Sequence, residues 1–268
     1  MVRLMSVREI QLIGLDILNE IHSFCVSNQI TYTLYGGTLI GAIRHKGAIP
    51  WDDDIDIAMP RNDYNRFVNS FISLKGYRLF CPEKNNSYLT YARVCEMEKT
   101  VVLNEKFPWS RYQTGVWVDV FPLDGASDSL SDVENQLKGL RKQWRVLCRY
   151  RVSCGSSFPI KRALYRSFFK ISRFDFSKAR DCFVNDCKRF PFYKTGHYCN
   201  FSYIGYGIKE YQHTSDFSSM IMVPFESMEF YCIGGYHQHL INKYGDYMTP
   251  PSDIQGRGHD GYLFLWKE

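Results

Sequence analysis

The chain begins with apolar residues that recur at helical spacing. Ser6 and Glu9 match a capping box, and the apolar positions between Ile10 and Phe24 then form one stripe. This spacing predicts a first helix over about residues 7–28. A short β-rich run at residues 30–35 follows.

That run leads directly into a second helical pattern. It ends at Gly36 and Gly37, after which Thr38 can cap a helix that carries four apolar residues. The predicted order is strand, glycine turn and helix N-terminus.

Strict alternation marks residues 54–58, where aspartates and isoleucines occupy opposite faces of a predicted strand that stops at Pro60. Asn62 can cap the next helix. Four more strands are predicted at residues 77–80, 88–95, 100–103 and 116–121. The fold class is therefore predicted to be α+β, with a mixed β-sheet flanked by helices.

The second half of the chain carries two amphipathic helical patterns on either side of a Gly-Ser-Ser break at residues 155–157. The apolar positions that line one face of each predicted helix are Val133, Leu137, Leu140, Trp144 and Leu147 in the first pattern, and Ile160, Leu164, Phe168 and Ile171 in the second. Beyond them the pattern predicts a hairpin at residues 220–224 and 228–233, a short helix at 236–244 and an ordered loop at 244–262.

Two regions follow from these patterns. Residues 1–134 are expected to form the catalytic core. Residues 135–268 are expected to add a basic helical insertion and a C-terminal elaboration, packed on the core as one compact unit.

Composition restricts the class of protein. With 45% hydrophobic and 16% aromatic residues among 268, the chain is too apolar to be disordered, yet it has no apolar run of about 18 residues that would span a bilayer. The N-terminal segment lacks the separate apolar stretch of a secretory signal, so a cytoplasmic protein is expected.

The net charge of +5 conceals an asymmetry, because residues 135–174 contain eleven Lys or Arg and no Asp or Glu. Such a segment is either a solvated face or a surface that docks on anions, such as the inner leaflet of a membrane or the phosphates of an acceptor. The chain shows no recognised nucleic-acid-binding motif, so nucleic acid is not expected as a partner.

Nine scattered cysteines without a C-x-x-C pair indicate reduced, mostly buried thiols. One spacing allows an alternative. Cys182, Cys187, His197 and Cys199 could supply four zinc ligands, although their spacing is not that of a standard finger.

The alternating strand places Asp54 and Asp56 side by side, and carboxylate oxygens are ligands for a hard cation such as Mg²⁺, with Mn²⁺ as the alternative. Asp119 lies in the middle of a second β-rich run, where an unpaired carboxylate would be costly to bury. A metal site of Asp54, Asp56 and Asp119 is therefore predicted. Gly36, Gly37 and Thr38 are predicted to bind phosphate at a helix N-terminus.

These features together are typical of a nucleotidyltransferase fold, and the residues also carry a more specific resemblance. The segment GGTLIGAIRHKGAIPWDDDIDIAMPRNDYNRF resembles the leading motif of the LicD family, G-T-L-L-G-x-x-R-H-x-G-x-I-P-W-D-D-D-[IV]-D. VDVFPLDG resembles the second block of that family. PFESMEFYCIGGYHQHLINKYGDYMTPP, with His259, resembles its C-terminal block, and residues 135–215 match least.

The resemblance implies a metal-dependent phosphotransferase. Such an enzyme would take a phosphorylated alcohol, typically phosphocholine, from a CDP-activated donor and attach it to a glycan such as lipopolysaccharide, teichoic acid or capsule, releasing CMP. The acceptor could be lipid-linked, which would bring the enzyme to the anionic inner face of the membrane. Related enzymes of the fukutin group move ribitol phosphate from CDP-ribitol.

The resemblance also implies residue roles. Gly36, Gly37 and Thr38 would touch the donor phosphates, and the catalytic set would be Asp54, Asp56, Asp119 and Asp52, the last as metal helper, cation positioner or base. Asp53 would brace the turn. Arg44, His45 and Lys46 would hold phosphate oxygens, or would simply complement the dipole at a solvated helix end.

Two other functions stay open from the residues alone. The same carboxylates would serve a nucleotidyltransferase that moves NMP from an NTP to a small molecule or protein. The protein could instead be a non-catalytic scaffold that binds a glycan or a nucleotide. Neither the alcohol nor the acceptor glycan can be inferred from the sequence.

Overall fold

A computed structural model describes residues 3–106, 114–252, 259 and 261–267. Within these residues the chain forms seven α-helices and twelve β-strands. The helices are α1 (Val7–Ser27), α2 (Gly36–Arg44), α3 (Arg61–Ser70), α4 (Leu130–Gly155), α5 (Pro159–Ile171), α6 (Phe176–Cys187) and α7 (Tyr236–Tyr244). The strands are β1 (Arg3–Leu4), β2 (Thr33–Leu34), β3 (Ile55–Pro60), β4 (Arg78–Phe80), β5 (Ala92–Cys95), β6 (Thr100–Asn104), β7 (Trp117–Ala126), β8 (His197–Cys199), β9 (Gln212–His213), β10 (Met220–Phe225), β11 (Met228–Ile233) and β12 (Tyr262–Trp266).

The central sheet has the strand order β2-β3-β7-β5-β4, and β8 and β9 extend it from the far end of β7. Strands β3 and β7 run parallel, whereas the other neighbours are antiparallel. Strand β7 is buried along its whole length. The predicted mixed sheet with flanking helices is confirmed, and it places the two Asp-bearing strands next to each other.

Helix α1 confirms the first helical prediction. The Ser6 side chain accepts a hydrogen bond from the Glu9 backbone, and the Glu9 carboxylate accepts one from the Ser6 backbone, so the capping box is complete. Ile17, Leu18 and Ile21 are fully buried in the main core. That core also contains residues of β3, β7 and the β10–β11 hairpin.

Two predicted caps are wrong. Tyr35 is the N-cap of α2, and Thr38 lies inside the helix, where its hydroxyl accepts a hydrogen bond from the Asp56 backbone N–H at 2.8 Å. Helix α3 starts after Pro60 rather than at Asn62. Both helices therefore begin directly where a β-segment ends.

The basic segment forms the two predicted helices, but only α4 buries most of its apolar face. In α4, Val133, Leu137, Leu140 and Leu147 are buried, whereas Trp144 is 41% exposed. In α5 the four residues of the predicted apolar face are exposed to solvent. The buried apolar face of α4 packs against helix α6, which the sequence pattern did not indicate.

A second sheet has the order β1-β12-β6, with both pairs antiparallel. Its middle strand, β12, was not predicted. The predicted loop at 244–262 lies only partly within the described residues. Among the helices described, none combines the length and the apolar character that crossing a bilayer requires.

Candidate active site

Three neighbouring strands place charged side chains in one row. Asp56 on β3 is in register with Asp119 on β7, which is in register with Arg93 on β5. Asp54 lies just before β3. Carboxylate oxygens of Asp54, Asp56 and Asp119 lie within 4.8 Å of one another. The structure thus brings together the three residues of the predicted metal site.

Arg93 holds Asp119 through two hydrogen bonds. Its Nε donates to Oδ1 at 2.6 Å and its Nη2 donates to Oδ2 at 2.8 Å, and both side chains are buried. The guanidinium carbon lies 4.0 Å from the ring centre of Trp117. This two-point contact fixes the orientation of the Asp119 carboxylate, which Lys in place of Arg could not do.

One guanidinium does not balance the three carboxylates. Burial raises the pKa of Asp56 well above its usual range, and the charges of Asp54 and Asp119 raise it further. Burial also raises the pKa of Asp54, although His259 opposes this effect. A divalent cation would supply the missing positive charge, and an all-oxygen donor set suits Mg²⁺ or Mn²⁺. The residues therefore fit the predicted metal.

A tight turn holds the other acidic residues beside this cluster. The Gln11 side chain of α1 donates to the backbone oxygens of Ile49 at 3.0 Å and Asp52 at 2.8 Å. Burial raises the pKa of Asp52 to about 8, and the charges of Asp54 and Asp53 contribute. In the metal-free site these effects favour the protonated form of Asp52.

His259 closes the cluster from the C-terminal part of the chain. Its backbone N–H donates to Asp53 Oδ2 at 2.9 Å, its Nδ1 lies 2.7 Å from Asp53 Oδ1, and its Nε2 lies 3.7 Å from Asp54 Oδ2. Burial lowers the pKa of His259, but the hydrogen bond to Asp53 and the charges of Asp54 and Asp53 outweigh this and raise it to about 9. In the metal-free site the two carboxylates therefore favour the protonated, positively charged form of His259.

The glycine pair allows the start of α2 to approach the carboxylates. A Cβ at Gly36, which has a φ of +55°, would lie 2.8 Å from Asp56 Oδ2, and a Cβ at Gly37 would lie 2.5 Å from Asp52 Oδ2. Glycine is needed at both positions because any side chain would displace these oxygens. The predicted Gly36-Gly37 turn is thus the first turn of a helix whose N-terminus adjoins the acidic site.

These groups line a cavity of about 470 Å³. Its cationic lining residues are Arg93, Arg151, Lys243 and His259. Its aromatic lining residues are Tyr35, Tyr88, Tyr91, Phe121, Tyr203, Tyr206, Tyr244 and Tyr262. The cavity therefore combines a carboxylate cluster with cations for phosphate and with aromatic rings for an organic group.

Lys243 of α7 sits among tyrosines at one side of this cavity. Its Nζ lies 2.7 Å from Glu210 Oε1, 4.1 Å from the ring centre of Tyr35 and 4.7 Å from that of Tyr206. The Tyr35 hydroxyl also donates to Glu210. This ion pair ties α7 to the residue that caps α2.

The structure does not bring the basic triplet to the cavity. Arg44, His45 and Lys46 are not among the described residues that line it. Arg44 Nη1 donates to the backbone oxygen of Tyr247 at 2.6 Å, and the His45 ring packs edge-on against Trp51. Thr38 is buried behind the cavity wall, where it supports Asp56 through the contact described above.

The proposed zinc ligands are also not assembled. Within the described ranges, the two groups of three acidic, His or Cys side chains close enough to share an ion both lie at the acidic site. Cys187 and Cys199 are packed in an apolar cluster, Cys182 is exposed, and His197 Nδ1 lies 2.6 Å from Asp128 Oδ1. The buried-thiol alternative describes Cys187 and Cys199 better.

Sequence reasoning missed three of the four cations. Arg93 interrupts a β-rich run just as Asp119 does, so the same argument about a buried charge would have found it. Arg151 is one of six Lys or Arg residues in α4. Lys243 is the only Lys or Arg in α7, but no motif marks it as a site residue.

The chain is similar to known proteins of one family. Residues 29–138 match the family model described as "LicD/FKTN/FKRP, nucleotidyltransferase domain". The lipopolysaccharide cholinephosphotransferase LicD of Haemophilus influenzae is 32% identical over 265 residues, which cover 95% of this chain and 96% of that protein. An uncharacterized protein of Rickettsia typhi is 30% identical over 37% of this chain and 38% of its own length. With a relative this similar along almost the whole chain, and with the acidic cluster inside the matched domain, the protein belongs to the LicD family.

Proposed function

We propose that this protein transfers phosphocholine from CDP-choline to a hydroxyl group of a lipopolysaccharide-type glycan and releases CMP. The observation that carries the proposal is the convergence of Asp54, Asp56 and Asp119 within 4.8 Å on the wall of a tyrosine-rich cavity. The name of the Haemophilus relative supports phosphocholine and lipopolysaccharide as the chemical classes. A cytoplasmic location stays a prediction.

The acidic residues of the site have different proposed roles. Asp54, Asp56 and Asp119 would hold Mg²⁺ or Mn²⁺, which when bound offsets the negative charge of a diphosphate. Arg93 keeps the Asp119 carboxylate in one orientation, and Asp53 holds His259 beside Asp54. The first-turn N–H groups of α2 face the same region, because Gly36 and Gly37 adjoin Asp56 and Asp52.

Asp52 is the proposed proton acceptor. The acceptor hydroxyl oxygen bonds to the phosphorus that carries choline, the bond from that phosphorus to the bridging oxygen breaks, and CMP leaves with that oxygen. The hydroxyl proton passes to Asp52. The raised pKa makes the ionised form of Asp52, which is the form that accepts the hydroxyl proton, a stronger base than the carboxylate of an ordinary aspartate.

The aromatic wall favours choline over an uncharged alcohol. Ring centres of Tyr91 and Phe121 lie 4.5 Å apart, and that of Tyr203 lies 6.0 Å from Phe121. A quaternary ammonium is attracted to such faces, whereas ribitol or glycerol would gain little from them. Lys243 already occupies the neighbouring group of Tyr35 and Tyr206, so the rings around Phe121 are the proposed choline contact.

The proposal is tested by measuring CMP release from CDP-choline, CDP-ethanolamine, CDP-ribitol and CDP-glycerol with a lipopolysaccharide acceptor, with and without Mg²⁺. We expect CMP release that requires Mg²⁺ and is fastest with CDP-choline. Tyr203→Ala should raise the KM for CDP-choline but not for CDP-glycerol. Release of pyrophosphate from an NTP would instead indicate NMP transfer, and no turnover with any donor would favour the scaffold alternative.

A further inference from the structure

We infer that α5 is a membrane-docking helix that lies flat on an anionic lipid bilayer, inserting an apolar stripe while a basic groove binds lipid phosphates. The apolar stripe is the set Ile160, Leu164, Phe168 and Ile171, and the basic groove is the set Arg162, Arg166, Lys170 and Arg173. This surface is separate from the acidic cavity and does not depend on the reaction proposed above.

The apolar stripe is exposed in an unusual way. Ile160 and Ile171 are each 83% exposed, Leu164 is 67% exposed and Phe168 is 62% exposed. Their spacing places them on one face of a helix of 13 residues, which is roughly 20 Å long. A continuous row of large apolar side chains on one face indicates a surface that contacts another apolar phase.

The opposite side of α5 is anchored to the protein. Phe169 is buried, and its ring centre lies 5.3 Å from that of Tyr150 on α4 and 4.8 Å from that of Phe174. This contact holds the helix on the body of the protein with the apolar stripe directed outwards. The apolar stripe is therefore exposed even though α5 is packed against the rest of the protein.

The basic groove runs along the flank of the same helix. A cavity of about 910 Å³ between α4 and α5 is lined by the four residues of the basic groove together with Tyr150, Ser153, Cys154, Phe169 and Phe174. None of these lining residues, all within the described part of the chain, is acidic. Arginine and lysine side chains at this position would meet headgroup phosphates while the apolar stripe enters the acyl region.

Charge decides between a bilayer and a second copy of the chain. Residues 135–174 contain eleven basic and no acidic residues, so two copies joined through their apolar stripes would place two basic grooves close together without compensating carboxylates. An anionic bilayer has an apolar acyl region that could take up the apolar stripe and negatively charged headgroups above it that could contact the basic groove. The bilayer is therefore the occupant that fits both features.

The position of α4 links this surface to the cavity. Tyr150, Ser153 and Cys154 of α4 line the groove, whereas Arg151 of the same turn lines the acidic cavity. A bilayer bound at α5 would therefore lie near the cavity wall, where a lipid-linked acceptor could reach it.

The test is flotation of the full-length protein with vesicles of phosphatidylglycerol and phosphatidylcholine in equal parts, and with vesicles of phosphatidylcholine alone. We expect binding to the anionic vesicles that is weakened by salt, and little binding to the neutral ones. The variant Ile160→Ser/Leu164→Ser/Ile171→Ser should bind the anionic vesicles at least about tenfold more weakly, because apolar burial is lost. Arg166→Glu/Lys170→Glu should weaken binding similarly.

A matched control comes from Ile72 and Leu74, which are 80% and 95% exposed in the segment that follows α3 and hydrogen-bonds to Glu20 of α1. Ile72→Ser/Leu74→Ser should bind vesicles like the original protein. Equal binding by the α5 variants, or no binding to anionic vesicles, would overturn the inference. So would a concentration-dependent dimer in sedimentation velocity that the Ser variant abolishes, because the stripe would then be a contact between copies. CMP release with a delipidated acceptor should be unchanged in every α5 variant, which separates this result from the proposed function.

Discussion

At the scale of single residues, the site is a set of charges that are costly without a ligand. The protein holds Asp54, Asp56 and Asp119 close together and compensates them only in part through Arg93 and His259. Incompletely compensated charge is expected in residues that are arranged to bind a ligand rather than to stabilise the fold. Replacing such a residue should therefore improve the stability of the ligand-free protein while removing function.

Asp56→Asn is the direct test. The raised pKa of Asp56 means that its stabilising contribution is present only at low pH and is lost as pH rises through the pKa of the folded state. We therefore expect Asp56→Asn to raise the melting temperature of the metal-free protein by a few degrees at pH 8, and by less at pH 4. Mg²⁺ should raise the melting temperature of the original protein but not of this variant, and kcat should fall by at least about a hundredfold.

Glu98→Gln is a suitable control for Asp56→Asn, because Glu98 is an exposed carboxylate outside the cavity. It should change neither the melting temperature nor the response to Mg²⁺. A loss of stability in Asp56→Asn at pH 8 would contradict the view that these carboxylates are uncompensated.

At the scale of elements, local sequence patterns were sufficient to predict helices and strands that pack an apolar face against the rest of the protein. The capping box and apolar stripe predicted α1, and the apolar patterns predicted α7 and the β10–β11 hairpin. The pattern also predicted α5 and its apolar face, but periodicity does not show whether such a face is buried, and in α5 it is exposed. The pattern missed β12, whose apolar run is paired on both sides by strands far away in the chain.

The same distinction applies to the site. Asp54, Asp56 and Asp119 could be predicted because each stands in or beside a β-rich run. Arg93 contacts Asp119 because β5 pairs with β7 in that register. Lys243 reaches the cavity, where it pairs with Glu210, because of the way α7 packs. Pairing between distant segments determines these contacts, and one sequence does not reveal it.

A long-range contact of this kind can be tested at Glu226, in the turn between β10 and β11. Its carboxylate accepts hydrogen bonds from Arg8 Nη1 at 2.9 Å and Nη2 at 2.7 Å, and from the Ala48 backbone N–H at 3.1 Å. The hydrogen bonds from Arg8 lower the pKa of Glu226. The stabilisation is therefore present above the ordinary pKa of 4.5 and is lost as pH falls through the lowered value.

We expect Glu226→Gln to lower the free energy of unfolding by up to about 1 kcal/mol at pH 7, because the ion pair is partly exposed. The difference from the original protein should shrink below pH 4.5. Urea unfolding at pH 7 and at successively lower pH measures this. Glu229→Gln, exposed on β11, is the control and should show no such pH dependence. A difference that stays constant with pH would show that the charge of Glu226 is not what ties the hairpin to α1.

At the scale of the whole molecule, the second sheet supports the active site from behind. Strand β12 pairs with β1 on one side and β6 on the other, and the Trp266 indole donates to Glu9 of α1 at 3.2 Å. Phe264 of β12 stacks on Trp117, with ring centres 5.1 Å apart. Trp117 in turn contacts the Arg93 guanidinium and, with ring centres 5.4 Å apart, the His259 ring. The C-terminal strand is thus connected to the acidic site through one indole ring.

Phe264→Ala should therefore affect stability and function together. Phe264 is buried, so its truncation should lower the free energy of unfolding by about 3–5 kcal/mol. Leu263, its neighbour on the same strand, is 37% exposed, and Leu263→Ala should cost less than about 1 kcal/mol. Urea unfolding gives both values. Phe264→Ala should also reduce the Mg²⁺-dependent rise in melting temperature, because Trp117 loses the ring that stacks on it and is then less well positioned against Arg93. Phe264→Leu should restore most of the stability but less of the response to Mg²⁺, since an aliphatic side chain fills the space without stacking. If Phe264→Ala lost stability but kept the full response to Mg²⁺, the second sheet would stabilise the fold without positioning the site.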